Sequence, residues 1–78
     1  MGTAVHLSLT MHTSSMLGQN IKKYRNKLRI SQDTLSKYAN LTVITVINVE
    51  SGRTANPTIS TVKKLADALG VSIDDLMK

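Results

Sequence analysis

Seventy-eight residues suffice for one small domain, which buries only about 60% of the surface its unfolded chain exposes. The absence of cysteine excludes disulfides, thiolate metal sites and a cysteine nucleophile, and two aromatic residues, Tyr24 and Tyr38, make neither a base-stacking platform nor a large aromatic pocket. The net charge of +5 is uneven: residues 1–32 carry Lys22, Lys23, Arg25, Lys27 and Arg29 and no acid, an imbalance that suits nucleic acid, an anionic membrane or an acidic protein as partner.

Residues 1–15 contain no charged side chain. Val5, Leu7, Leu9 and Met11 alternate with His6, Ser8, Thr10 and His12, the period of a half-buried strand that would have to pair with another chain or dock on the domain. The preferred alternative is a disordered tail, with the folded domain beginning at residue 16. His6 and His12 have no cysteine or acid near them in sequence, so no metal site is expected. No apolar run approaches the roughly 20 residues of a membrane span, and the first residues lack the basic and apolar regions of a signal peptide. A cytoplasmic location is expected.

From residue 16 the pattern is helical. Leu17, Ile21, Tyr24 and Leu28 fall on one face of a first helix, with Ser14 or Ser15 as its cap and Ile30 as a buried connector. Ser31 precedes Gln32-Asp33-Thr34 and reads as the N-cap of a second helix that buries Leu35 and Ala39. Asn40 suits a left-handed helix stop, Leu41 is a buried link, and Thr42 caps again. Val43 to Ser51 is so rich in β-branched residues that propensity favours a strand. The cap before it, Gly52 after it and the short spacing decide for a third helix.

Gly52-Arg53-Thr54-Ala55-Asn56-Pro57 is a loop by composition. Thr58 caps a fourth helix with Ile59, Val62, Leu65, Ala66 and Leu69 inward and Gly70 as its stop. Val71 is buried, and Ser72 with Asp75 forms a capping box for a short fifth helix carrying Ile73 and Leu76. The expected architecture is therefore all-α, a compact five-helix bundle.

Residues 32–51 hold the informative geometry. Two helices joined by a three-residue turn cross steeply, so the first needs a small residue at the crossing, which Ser36 supplies. Asn40 and Leu41 serve the turn, while Val46 and Val49 turn inward and leave the rest of the third helix projecting.

The stretches that carry a family resemblance run in order: Leu17…Ile21…Tyr24-Arg25, Ile30-Ser31-Gln32-Asp33-Thr34-Leu35, Ala39-Asn40-Leu41-Thr42 and Val46…Val49-Glu50-Ser51-Gly52-Arg53. Asn56-Pro57-Thr58 and Leu65 to Leu76 continue it. Over residues 17–77 the chain resembles the Cro/repressor (XRE-type) helix-turn-helix family. The resemblance implies a DNA-binding domain over residues 16–78 behind the tail 1–15, with helix 43–51 in the major groove. It assigns Gln32 to a phosphate or nearby base edge, and Thr42, Val43, Ile44, Thr45, Ile47 and Asn48 to the base-facing and groove-edge positions. Arg53, with Thr54, falls to a phosphate. It also implies a structural ion pair between Arg25 and Glu50. No cofactor, small-molecule ligand or membrane is implied.

The chain departs from the family pattern at Asn40, where glycine is usual, at Ser36, where alanine is usual, and at Ala55, an extra loop residue. The main departure is the reading face, where Val43, Ile44 and Ile47 replace the usual polar side chains. Asn48 is left to bind adenine and the aliphatic residues to pack on thymine methyls, so A·T-leaning sites are expected. The expected function is a repressor or controller that binds a palindromic operator as a homodimer. Helix five, through Ile73, Leu76 and Met77, or the tail strand is the expected dimer surface. The alternative is a protein-interaction module that uses the apolar Val43/Ile44/Ile47 face. Lys22, Lys23, Lys27 and Arg29 form either a phosphate-binding stripe or a solvated helix face. No catalytic constellation is present, so an enzyme is not expected.

Overall fold

The chain's helices begin on hydroxyl groups. In the computed structural model, which describes residues 16–54 and 56–78, the described chain forms five helices and no strand. They are α1 (residues 16–27), α2 (Gln32–Ala39), α3 (Val43–Ser51), α4 (Ile59–Leu69) and α5 (Ile73–Met77). Ser31, Thr42, Thr58 and Ser72 each accept the backbone N–H three residues on, at 3.0–3.2 Å, and so satisfy donors that a helix start leaves open. At Ser72 the box is complete, since its own N–H donates to Asp75 Oδ2 at 3.1 Å. The tail alternation over Val5 to Met11, the Ser14/Ser15 cap and the two histidines lie outside the described residues.

Left-handed residues end the helices. Asn40 stands at φ 56° after α2, Gly52 at 81° after α3 and Gly70 at 73° after α4. The β-branched run 43–51 is helical because both its ends are specified and because Val46 and Val49, one turn apart, reach the core together. Tertiary burial overrides the weak strand preference of valine and isoleucine here.

The core is built from Ile21 of α1, Leu35 and Ala39 of α2, Val46 and Val49 of α3, four α4 residues and Leu76 of α5. Leu17, Tyr24, Ile30, Leu41, Val71 and Ile73 pack around it, half-buried. Two expected core residues lie outside. Leu28 is 50% exposed because α1 stops at residue 27 and Arg29, at φ 57°, turns the chain away. Ile59 is 70% exposed. At 3.6 residues per turn it falls about 70° off the stripe that Val62, Leu65, Ala66 and Leu69 define. Leu76 is fully buried, and its carbonyl accepts Asn20 Nδ2 at 2.7 Å, which ties α5 to α1. It is therefore unavailable as a dimer surface, and of the three α5 residues expected there Met77 alone is broadly exposed.

Gly18 controls how α1 meets α3. A Cβ at this position would lie 2.3 Å from the Glu50 carbonyl oxygen and 2.6 Å from that of Val49. Only a residue without a side chain lets α1 rest on the last turn of α3.

Candidate nucleic-acid interface

The site is built on the pair α2–α3. Ser36 is buried at their crossing, and its hydroxyl donates to the Asp33 carbonyl at 2.6 Å, so the small polar side chain is satisfied within its own helix. Leu41 N–H returns to Ser36 O at 2.9 Å and Asn40 N–H to Lys37 O at 3.2 Å, which closes α2 and starts the three-residue turn. The exposed acid Asp33 is paired with Lys37 at 3.2 Å one turn on.

With Val46 and Val49 inward, Ile44, Ile47, Asn48 and Ser51 occupy the opposite face of α3 at the spacing i, i+3, i+4, i+7. Ile44 and Ser51 are exposed, Ile47 and Asn48 half-buried. Ile44, at 61% exposure, is the tip of the ridge. Val43 and Thr45 flank it, also half-buried. Thr42, exposed, shares a hydrogen bond of 2.9 Å with the Thr45 hydroxyl at the start of the helix. Past the helix end, Arg53 and Thr54 are both exposed. Thr54 N–H donates to Asn48 O at 3.1 Å and Arg53 N–H to Ser51 Oγ at 3.3 Å, so the loop is folded back under the ridge.

The end of α3 is held by an ionic knot. Arg25 Nε lies 2.6 Å from Glu50 Oε2 and Nη2 lies 3.2 Å from Oε1, a bidentate fork with side chains 12% and 5% exposed. Arg25 Nη1 also donates to Ile30 O at 2.9 Å, which fixes the α1–α2 connection. Gln32 Nε2 donates to Glu50 Oε1 at 3.1 Å. One carboxylate thus joins the end of α1, the start of α2 and the end of α3. Among the described residues no buried side-chain polar atom lacks a partner.

These contacts sort the residues singled out in the sequence. Thr42, Val43, Ile44, Thr45, Ile47 and Asn48 share one helix, with Arg53 and Thr54 beside its end. Gln32 stands apart from them: it is half-buried, and its amide nitrogen is engaged by Glu50. Ser51 completes the ridge and was missed, although its i+3, i+4 and i+7 relation to Asn48, Ile47 and Ile44 is readable in the sequence. Gly18 and the Gln32–Glu50 bond were missed too, and no local pattern marks either. Lys23 and Lys27 stand 5.4 and 5.5 Å from the centre of the Tyr24 ring, so part of the basic face of α1 is engaged within its own helix. Among the described residues no group of His, Cys, Asp or Glu gathers to hold a metal ion, and no helix is long and apolar enough to cross a membrane.

A family model described as "Helix-turn-helix" matches residues 21–76. The chain belongs to the XRE-type helix-turn-helix family. That family is one of DNA-binding transcriptional regulators and not of enzymes. The chain is 30% identical over 63 residues to RghRB of Bacillus subtilis (strain 168), and 39% identical over 57 residues to MJ1545 of Methanocaldococcus jannaschii. Both relatives are described as uncharacterized HTH-type transcriptional regulators. The matches cover 81% and 73% of this chain but 45% and 23% of the relatives, so it spans less than half the length of either. Its fold is similar to that of C.AhdI, the restriction-modification controller protein of Aeromonas hydrophila. The TM-score is 0.76 at 30% identity, over 81% of this chain and 94% of that one.

Proposed function

We propose that this chain is a sequence-specific DNA-binding transcriptional regulator of the repressor or controller kind, acting in the cytoplasm, whose α3 enters the major groove. The observation that carries the reading is the ridge Ile44–Ile47–Asn48–Ser51, raised on a capped helix whose far end is locked by Glu50. A reading helix must hold its side chains at fixed depth and angle, and the knot of Arg25, Glu50 and Gln32 supplies that rigidity. Asn48 pairs with adenine, a contact worth about 1–3 kcal/mol of discrimination, while Ile44 and Ile47, with Val43 at the edge, pack on thymine methyls. Thr42 and Thr45 face the groove edge. Arg53 and Thr54 hold a phosphate, and Gln32 reaches the backbone through the part of its amide that Glu50 leaves free.

A module of this size covers roughly 600–1,000 Å² of DNA, so a homodimer on a palindromic operator, with half-sites about one helical turn apart, supplies the remaining affinity. The similarity to a restriction-modification controller protein supports this class of regulator. The protein-interaction alternative draws less support. Its proposed face reduces to Ile44, because Val43 and Ile47 are half-buried, and a single exposed apolar residue is ordinary on a soluble surface.

Site selection from random duplexes followed by binding in rising salt tests the proposal. Enriched A·T-containing half-sites and a log K that falls linearly with log[salt] are expected. Enrichment of G·C motifs without thymine beside α3 refutes the base assignment, and absence of binding at low salt refutes the function.

A further inference from the structure

We infer that Arg29 is a phosphate-contact residue which, together with Arg53, brackets the anchored end of α3; the inference rests on the DNA-binding reading above. Arg29 stands at φ 57°, a conformation that strains any residue with a Cβ and that glycine adopts freely. The turn itself makes no demand for arginine. Its hydrogen bonds, Arg29 N–H to Asn26 O at 3.0 Å and Ile30 N–H to Arg25 O at 3.3 Å, use backbone atoms that glycine has as well. The side chain is exposed and, among the described residues, makes no hydrogen bond or ion pair. A strained position occupied by a charged side chain with no structural role points to a role outside the fold.

Its placement says which role. Arg25, four residues before, and Gln32, three residues after, both bind Glu50, and Arg53 follows Glu50 by three residues. Arg29 and Arg53 therefore lie on two segments tied at one carboxylate, each within about 11 Å of chain from it or its partner. That carboxylate is already neutralised by Arg25, and the next acid, Asp33, is offset by Lys37. Two exposed guanidiniums remain on either side of the knot without a counter-charge. Guanidinium forks fit phosphate oxygens, and a duplex backbone running past the end of α3 presents them in series.

The experiment measures DNA affinity against salt for the full chain and for Arg29→Gly, Arg29→Lys and Lys64→Ala. Arg29→Gly relieves the backbone, so its melting temperature is expected to hold or rise. Its affinity is expected to fall about fivefold and its salt slope by about 0.9, the effect of one phosphate contact. Arg29→Lys keeps the slope. Lys64→Ala removes an equal charge from the outer face of α4 and leaves the slope unchanged. A wild-type slope retained in Arg29→Gly, or an equal drop in Lys64→Ala, overturns this inference while the DNA-binding reading stands. A wild-type chain that binds no duplex at low salt overturns both.

Discussion

The two ends of α3 are built for opposite purposes. At its C-terminal end Glu50 is almost fully buried in the fork of Arg25, Gln32 is bonded to the same carboxylate, and Gly18 brings α1 against the last carbonyls. At its N-terminal end Thr42 and Ile44 are open to solvent, and the local hydrogen bonds are those of the cap. The helix is gripped from behind and offered from the front. Stability and recognition are thereby assigned to different residues of one nine-residue element, and substitutions at the two ends should separate them.

The largest effect is expected at the gripped end. Glu50→Ala strands a mostly buried guanidinium and should cost about 3–5 kcal/mol, read as a lower unfolding midpoint in urea at unchanged slope. An unaltered midpoint would show that the fork is not a tie. Gly18→Ala places a Cβ against two backbone carbonyls, which have no rotamer to yield. A loss of about 1–3 kcal/mol is expected by the same measurement. At the offered end Thr42→Ala removes a cap and should cost about 1 kcal/mol. Ile44→Ser should leave thermal stability within about 0.5 kcal/mol while weakening binding to thymine-containing sites. If Ile44→Ser unfolded the protein, the division between the two ends would fail.

The smallest effect falls outside α3 and serves as its reference. The Ser72 backbone N–H, then its hydroxyl contact, hold the Asp75 carboxyl below its ordinary value of 3.8. A depressed carboxylate contributes stability above its unfolded-state value and loses it as pH falls through the folded one. Asp75→Asn should therefore differ from wild type near neutrality and converge with it in acid, with DNA binding unchanged throughout. Circular dichroism melts across that range test it.

Much of this organisation was legible in the sequence because it is local. Ser31, Thr42, Thr58 and Ser72 announce helix starts by chemistry that acts over three residues, and Asn40 announces a stop by its backbone tolerance. Even the β-branched run 43–51 yields to its flanking cap and glycine. What escaped depends on distance or on ends. Leu28 continued a periodicity that the helix itself did not continue, and Ile59 shared a spacing but not an angle. Gly18 acquires meaning only from a carbonyl 32 residues away, and Gln32 from a carboxylate 18 residues away. Leu76 looked like a surface residue because a short terminal helix has few marks to say which side is covered. For the reading face, periodicity found Ile44, Ile47 and Asn48 but stopped one turn short of Ser51.

The Thr42–Thr45 hydroxyl pair carries a consequence for what the open end can distinguish. Either oxygen can donate to the other, and the one that does not donate keeps a proton to give elsewhere. A rotation of two hydroxyls swaps these identities without moving a heavy atom. A base opposite the pair can therefore meet a proton or a lone pair at the same place, so that operator position should tolerate exchange of its bases. Locking the pair into one polarity, as Thr45→Val does by deleting the second rotor, should turn that indifferent position into a selective one.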